Sequence, residues 1–231
     1  MLILPSTQSD MFLPRIRIKI CCMQSPAEAA IAVAAGADAV GLVSRMPSGP
    51  GPIDESAIKE ITASIPPGVA TFLLTCETTA SAIIAQQRRC RTNTIQLVDK
   101  VEPGTHDALR EALPGISIVQ VVHVRDNSAI RDAVAVAPLV DGILLDSGNP
   151  SLAVKELGGT GRAHNWKISR AIRESVGVPV YLAGGLNASN VSTAIAGVSP
   201  FGVDVCTGVR TDGRLDEAKL AAFVNAVGQS R

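Results

Sequence analysis

The chain has 231 residues, 21 basic and 21 acidic side chains, and no formal net charge at pH 7. This balance argues against a nucleic-acid partner, which a protein holds through a surplus of basic residues. No apolar run reaches the ~20 residues of a membrane-spanning helix, so no membrane association is expected. Hydrophobic residues make up 46% and aromatic residues 3% of the chain. This mixture favours a buried parallel sheet covered by Ala-rich helices.

The first residues and the cysteines indicate where the protein works. Residues 1–14 lack a basic segment followed by an apolar one, so they are interpreted as an N-terminal extension rather than a secretory signal, and the sequence leaves their order open. Five cysteines at irregular spacing form neither a C-x-x-C pair nor a disulfide framework. A reduced protein in the cytoplasm is therefore expected.

Short β-branched runs alternate with Ala-rich helical segments along residues 15–231. The predicted strands are 15–20, 37–43, 69–74, 93–98, 116–124, 140–146, 178–183 and 201–206. Helices are predicted to begin near Ser25, Asp54, Thr78, His106, Asp126, His164, Ser189 and Asp216. The first helix has the clearest signals, because Ser25 suits the N-cap, Glu28 completes a capping box, and Gly36 suits the left-handed position after the helix.

Eight strand–helix units at about 27 residues each predict a single-domain (β/α)8 barrel. The alternative is an open, doubly wound sheet, which usually carries its phosphate-binding glycines after the first strand. Here the first strand is followed by CCMQSP, and the glycines cluster after strands 6, 7 and 8. Because a barrel binds phosphate after its last strands, the glycine pattern favours the barrel.

Two adjacent cysteines end the first strand. Side chains alternate between the two faces of a strand, so Ile16, Ile18 and Ile20 are expected to pack outward under the helices. Cys21 is then expected at the inner, carboxyl-terminal mouth, two residues after Lys19, whose charge would stabilise a thiolate. By the same alternation, Cys22 is assigned to packing. The alternative is that both cysteines are small core residues.

Three glycine-rich segments, 157–166, 183–191 and 206–213, follow strands 6, 7 and 8. Glycine lets the backbone approach a ligand closely, and helix N-termini attract anions. The segments predict a site for a phosphorylated ligand, although ordinary turns would also use glycine. The candidate phosphate-binding residues are Gly159, Gly161, Gly184, Gly185 and Gly208.

Carboxylates supply the remaining candidates. Asp146 ends an apolar strand, where a general acid or a turn-capping aspartate would lie. Asp204 lies inside an apolar strand and needs a partner there. His123 is expected to be a satisfied core histidine. No spacing typical of a zinc or magnesium site is present, so no metal is expected.

Taken together, the motifs resemble those of the phosphoribosylanthranilate isomerase family from about Arg17 to Val227. The matching segments are K-I-C at 19–21, A-G-A-D-A-V-G at 35–41, Q-L at 96–97, L-L-D at 144–146, the G-G-x-G region that begins at 158, G-G-L-N at 184–187, and V-D-V with its following T-G-V at 203–209.

The resemblance implies an Amadori rearrangement of N-(5′-phosphoribosyl)anthranilate in tryptophan biosynthesis, without metal or cofactor. In this family an aspartate is the general acid and a cysteine is the general base, which implies these roles for Asp146 and Cys21. The only partner expected is a small phosphorylated sugar derivative, and the chain is expected to be a monomer or a homodimer. Further residues with an expected substrate contact are Lys19, Arg45, Gln96, Asp99, Asn187 and Asp204.

The chain departs from the family pattern at three places. Cys22 replaces a glycine, Val98 and Asp99 replace H-G, and the loop after strand 2 carries Arg45 but lacks the usual S-x-R arginine that is expected to hold the anthranilate carboxylate. These departures affect the part of the mouth that would read the aromatic acid. A divergent barrel that acts on, or only binds, another phosphorylated sugar derivative is therefore the alternative.

Overall fold

The computed structural model describes residues 15–158, 161 and 164–230, so the predictions for residues 1–14 and Gly159 lie outside the described part of the chain. The parallel strands are β1 Arg17–Ile20, β2 Ala39–Val43, β3 Ala70–Thr75, β4 Thr94–Leu97, β5 Ser117–His123, β6 Gly142–Asp146, β7 Val180–Leu182 and β8 Gly202–Val205. The helices are α1 Pro26–Ala34, α2 Glu55–Ser64, α3 Ala80–Cys90, α4 Thr105–Ala112, α5 Ser128–Val136, α6 Trp166–Ser175, α7 Val191–Val198 and α8 Glu217–Gly228. A short hairpin of β9 Arg210–Thr211 and β10 Arg214–Leu215 precedes α8.

The strands close into a barrel in chain order, because β8 pairs with β1. In that closing pair Lys19 lies opposite Asp204 and Ile20 lies opposite Val205. Closure excludes the open sheet and confirms the predicted (β/α)8 barrel. The predicted strands are one or two residues too long at most of their ends, which is expected because apolar residues continue into the adjoining loops.

Apolar side chains form two layers on either side of the barrel wall. Ile18 and Ile20 lie in the outer layer, between the strands and the helices. Cys21, Phe72 and Leu144 belong to the inner layer. The alternation inferred for β1 is therefore confirmed as far as Cys21.

The start of α1 is tied to the end of the barrel. The Ser25 hydroxyl accepts a hydrogen bond from the Glu28 backbone N–H at 3.2 Å, as a capping box requires. The Glu28 carboxylate accepts from the N–H groups of Gln24 and Leu215 and pairs with Arg210 at 2.9 Å. One carboxylate thus joins the first helix to the hairpin that follows the last strand.

Two other predicted helix signals have different outcomes. Gly36 has φ +103°, so the expected left-handed position after α1 is confirmed. Asp54 occupies the N-cap of α2, but its side chain makes no capping hydrogen bond. The predicted start of α2 near Asp54 is confirmed, but this aspartate does not cap the helix through its side chain as Ser25 does. Within the described ranges, no helix combines the length and the apolar character that crossing a bilayer would take.

Replacing Arg91 by glycine should stabilise the fold. Arg91 follows α3 in the left-handed conformation, with φ 62° and ψ 26°, and its side chain is exposed. Relieving the steric cost of a side chain there should raise the free energy of unfolding by about 1 kcal/mol. Urea denaturation measures this change.

The matched control is Arg88→Gly, on an exposed position of the last turn of the same helix. There the helical backbone should make glycine destabilising by about 1 kcal/mol. Equal effects of the two substitutions would contradict the backbone argument.

Candidate active site

A cavity opens at the carboxyl ends of the strands. Its wall includes the predicted residues Cys21, Gln96, Asp146, Gly161, Gly184, Gly185 and Asp204. These residues come from five different strands or their loops, and barrel geometry brings them together. The sequence-predicted acid, thiol and glycine loops thus face one space.

Cys21 extends β1 by one residue, since its backbone N–H donates to the Val205 carbonyl at 2.8 Å. Its sulfur occupies space that Gly41 leaves open: a Cβ added at Gly41 would lie 2.7 Å from Sγ and 3.0 Å from the Lys19 Nζ. A side chain at position 41 would therefore displace both the thiol and the ammonium group.

A buried ion pair lies beneath the Cys21 thiol. The Lys19 Nζ, whose side chain is fully buried, donates to the Asp204 carboxylate at 2.9 Å. It also lies 5.2 Å from the centre of the Phe72 ring. Burial disfavours the charged ammonium, but Asp204, together with Cys21 and Cys22, more than offsets this effect, so the pKa of Lys19 is raised and the side chain stays positive. The expected partner of the strand-embedded Asp204 is thus Lys19.

The Cys21 thiol titrates in this electrostatic setting. A hydrogen bond with Cys22 lowers the pKa of the Cys21 thiol, burial raises it, and the nearby Lys19 charge lowers it again. The net shift is downward, so the thiolate forms more readily than in a free cysteine.

Asp146 is the last residue of β6 and is 8% exposed. Its Oδ1 accepts from the Ser147 backbone N–H at 2.7 Å, and a Cβ added at Gly158 would lie 2.6 Å from its Oδ2. Burial raises the pKa of this carboxyl; the Ser147 N–H opposes the rise and the negative charge of Asp204 adds to it. The net shift is upward, in the direction that a general acid requires.

Gln96 contributes a polar group with no partner among the described residues. Its side chain is buried, lines the cavity, and leaves Oε1 without a hydrogen bond there. A buried amide oxygen in this state is costly unless a ligand or a water molecule donates to it. Gln96 is therefore suited to accept a hydrogen bond from a bound molecule.

Some glycines of the three glycine-rich loops line the cavity, and another allows two of the loops to pack together. Gly161, Gly184 and Gly185 line the cavity with positive φ values of 68°, 83° and 64°. Gly208 lies outside the cavity wall, and a Cβ there would come within 2.0 Å of the Leu186 carbonyl. Its role in the structure is to let the loops after β7 and β8 pack against each other, whereas its neighbour Thr207 faces the cavity.

Three other predicted substrate contacts lie outside the cavity wall. Arg45 is exposed at the rim, Asp99 pairs with Lys155, and Asn187 accepts hydrogen bonds from the N–H and hydroxyl of Ser189. The side chains of Asp99 and Asn187 thus hold their loops in place. Spacing along the chain could not reveal those partners.

The structure corrects the interpretation of two residues. Cys22 is buried on the cavity side, because β1 ends at Ile20 and Cys22 has φ 66°, so strand alternation no longer applies. His123 is half-buried and is not fully satisfied: one ring nitrogen bonds the Val98 carbonyl at 3.0 Å, and Nδ1 has no partner among the described residues.

Sequence reasoning missed Cys206 as a wall residue. Cys206 follows β8 directly and faces the same cavity as Cys21 and Cys22. Its position just after an apolar strand that pairs with β1 was the available signal.

The fold and the site define a (β/α)8-barrel protein with a carboxyl and a thiol at its carboxyl-terminal mouth. The family model for N-(5′-phosphoribosyl)anthranilate isomerase matches residues 18–226. The chain therefore belongs to the N-(5′-phosphoribosyl)anthranilate isomerase family.

Individual relatives agree with this assignment. The chain is 33% identical to the N-(5′-phosphoribosyl)anthranilate isomerase of Methanocella arvoryzae, over 88% of this chain and 93% of the relative. A crystal structure of phosphoribosyl anthranilate isomerase in complex with reduced 1-(o-carboxyphenylamino)-1-deoxyribulose 5-phosphate superposes with a TM-score of 0.75 at 26% identity, over 93% of this chain and 99% of that one. A structure of monomers generated from the dimeric Thermotoga maritima enzyme matches with a TM-score of 0.75 at 25% identity, over the same shares.

Replacing Lys19 by methionine should raise the pKa of the Cys21 thiol. The substitution removes the nearby positive charge and leaves the Asp204 carboxylate, which disfavours a thiolate. We expect the pH profile of Cys21 alkylation by iodoacetamide to move upward by about one pH unit or more. Mass spectrometry locates the alkylated residue.

The control is Arg17→Met, which removes a basic residue of the same strand from the opposite end of the barrel. Arg17 is exposed there and pairs with Asp38. The pH profile of Cys21 alkylation in Arg17→Met should match that of the wild type. An unchanged profile in Lys19→Met would show that Lys19 does not act on the thiol.

Proposed function

We propose that the chain catalyses the isomerisation of N-(5′-phosphoribosyl)anthranilate, with Asp146 as general acid and Cys21 as general base. The observation that carries the proposal is the common cavity wall of the two groups, together with opposite pKa shifts: upward for the Asp146 carboxyl and downward for the Cys21 thiol. These shifts favour a protonated acid and an ionised base in one site.

The proposed reaction balances without an added atom or electron. Asp146 donates its proton to the ring oxygen of the ribose, and the furanose opens to a Schiff base. The Cys21 thiolate then removes the proton from C2, giving an enolamine that tautomerises to the ketone. The proton held by Cys21 and the one lost by Asp146 compensate each other over the cycle, so no metal or cofactor is required by this scheme.

The phosphate of the substrate is proposed to bind at the glycine loops. Gly161, Gly184 and Gly185 present backbone at one side of the cavity, and the Thr207 hydroxyl lies beside Gly161, 3.7 Å from a Cβ added there. Backbone N–H groups in such loops bind phosphate oxygens. In this arrangement Gly208 contributes by holding the two loops together, and Gly159 would extend the same set.

The aromatic acid is proposed to lie on the other side of the cavity. Gln96, on β4, offers an acceptor there, and Asp204, which Lys19 holds, offers a further acceptor from β8, the strand before the last glycine loop. Arg45 remains the proposed cation for the carboxylate, since it is next to Met46, which lines the cavity. Asp99 and Asn187 would act by positioning their loops.

The exposed position of Arg45 supports a second candidate function. Among the described residues the cavity wall holds no cation at that side, so the site would also suit a phosphorylated sugar derivative that lacks the carboxylate, either as a substrate or as a ligand. An assay of phosphoribosylanthranilate turnover, which uses the loss of substrate fluorescence as its readout, distinguishes the two candidate functions. Binding of ribose 5-phosphate without that turnover would favour the second candidate.

The oligomeric state and the cellular location of the protein are also proposals: a monomer or a homodimer, in the cytoplasm. A relative from Thermotoga maritima is described as dimeric, so a homodimer joins the monomer as a candidate state. All five cysteines are free, which is compatible with the reducing cytoplasm.

The substitution Asp146→Asn tests the general acid. Removing the titratable proton should lower kcat/KM by about 10²–10⁴-fold, the usual contribution of such a group. Steady-state kinetics with phosphoribosylanthranilate measures the loss.

Asp141→Asn is the matched control on the same segment at the other end of the barrel. Asp141 precedes β6, is exposed, and accepts from the Ile118 N–H at 2.8 Å. Its activity should equal that of the wild type. Full activity in Asp146→Asn would exclude Asp146 as the acid.

The substitution Gly185→Ala tests the phosphate site. A side chain at this left-handed position would shift the loop and weaken its hydrogen bonds to a charged phosphate, which are worth about 1.5–3 kcal/mol each. We expect the Kd for ribose 5-phosphate, measured by calorimetry, to rise by about tenfold or more.

Gly68→Ala serves as the control, since Gly68 has φ +93° at the opposite end of the barrel and open space around its Cα. It should carry a similar backbone cost with no change in Kd. Equal Kd values for both variants would place the phosphate elsewhere.

A further inference from the structure

Three cysteines lie together at the mouth of the barrel. Cys21 and Cys22 follow β1, and Cys206 follows the neighbouring strand β8, where Ile20 pairs with Val205. All three line the cavity. Cys21 and Cys22 are buried in the inner apolar layer, and Cys206 packs against that layer.

Cys22 is the central member of this thiol cluster of Cys21, Cys22 and Cys206. Its backbone is left-handed, and its Sγ lies 3.6 Å from the Pro50 carbonyl of the loop after β2. Cys22 adjoins Cys21 in the chain, and the residues before Cys21 and Cys206, Ile20 and Val205, lie opposite each other in β1 and β8, so the three cysteines leave the barrel side by side. Any reaction that activates one sulfur therefore has a second sulfur beside it.

The sulfurs differ in reactivity. The positive charge of Lys19 lies beside Cys21, so this thiol ionises most readily and is the natural nucleophile. Interactions with Cys206 and Cys21, together with burial, raise the pKa of the Cys22 thiol well above its usual value. Cys22 is thus unreactive until a neighbouring sulfur becomes an electrophile.

We propose that the thiol cluster is a site of modification by peroxides, in which Cys21 is oxidised first, Cys22 captures it as a disulfide, and exchange leaves the lasting disulfide between Cys22 and Cys206. The reactant class is hydrogen peroxide or a small organic hydroperoxide, which can enter the cavity that these residues line. The outcome protects the Cys21 sulfur from irreversible oxidation.

The first step is a two-electron oxidation. The Cys21 thiolate attacks one peroxide oxygen, an S–O bond forms, the O–O bond breaks, and the peroxide is reduced to hydroxide. In the second step the Cys22 sulfur attacks the sulfenic sulfur of Cys21. An S–S bond forms, the S–O bond breaks, and the leaving hydroxide takes the Cys22 proton as water.

The third step is thiol–disulfide exchange. Consecutive Cα atoms are about 3.8 Å apart, below the roughly 4.4–6.8 Å of ordinary disulfides, so a bond between neighbouring cysteines is strained. The Cys206 thiolate attacks the Cys22 sulfur and releases Cys21 as a thiolate. A dithiol such as dithiothreitol reduces the final disulfide.

Peptide mapping of the full chain tests the sequence of events. The purified protein is treated with hydrogen peroxide, free thiols are blocked with N-ethylmaleimide, and tryptic peptides are analysed by tandem mass spectrometry. We expect a cross-link between Cys22 and Cys206 that dithiothreitol removes, with Cys21 recovered as the blocked thiol. This readout is independent of isomerase activity, so its failure is distinguishable from failure of the proposed function.

The variant Cys22→Gly removes the capturing sulfur at a position whose backbone favours glycine. Sulfinic and sulfonic acid at Cys21 should then accumulate several-fold faster than in the wild type. The control is Cys76→Ser, since Cys76 lies outside the thiol cluster, with its sulfur 3.2 Å from the Arg45 carbonyl. In Cys76→Ser, sulfinic and sulfonic acid at Cys21 should accumulate at the wild-type rate.

Three results would overturn the proposal. One is equal accumulation of irreversible Cys21 oxides in the wild type and in Cys22→Gly. Another is a stable cross-link between Cys21 and Cys206 with Cys22 free. The third is oxidation of Cys76 at the same rate as Cys21, since the cluster would then have no special reactivity.

Discussion

The ion pair between Lys19 and Asp204 is the interaction on which the rest of the site depends. It spans the seam where β8 meets β1, and neither charge could be buried there without the other. The same pair sets the electrostatic field at the mouth: the ammonium favours a thiolate at Cys21, and the carboxylate favours a neutral Asp146. The seam of the barrel and the charges beside Cys21 and Asp146 therefore share one contact.

The mouth divides into a rigid and a variable part. The Asp146 carboxyl, the Cys21 thiol and the glycine loops are held by strand ends and by close backbone packing, as at Gly208 against Leu186. On the other side, Arg45 is exposed, and Asp99 pairs with Lys155 across two loops. The chemistry of a family can be fixed by the first part while substrate choice is set by the second. This chain departs from its family pattern in the second part.

The sequence predicted the barrel from its eight alternating strand and helix segments. It predicted the positions of Cys21 and Asp146 from side-chain alternation along a strand and from the points where strands end. It failed at Cys22, where the strand had already ended and a left-handed backbone reversed the expected direction. It did not predict that Asp99 pairs with Lys155 or that Asn187 accepts from Ser189, because loop conformation rather than periodicity selects these partners. Residues in regular elements were predictable from local pattern, and those in loops depended on contacts that form only in the folded chain.

Gly41 and Gly158 give the reactive groups their room, since a methyl group at either would collide with the sulfur of Cys21 or with a carboxyl oxygen of Asp146. The Cys21 sulfur and the Asp146 carboxyl oxygen thus pack against glycine backbone, which, unlike a side chain, has no alternative rotamers. Main-chain atoms of the neighbouring strand and loop therefore limit where the Cys21 thiol and the Asp146 carboxyl can lie. An engineered barrel that keeps both side chains but fills either gap would retain the right functional groups in the wrong places.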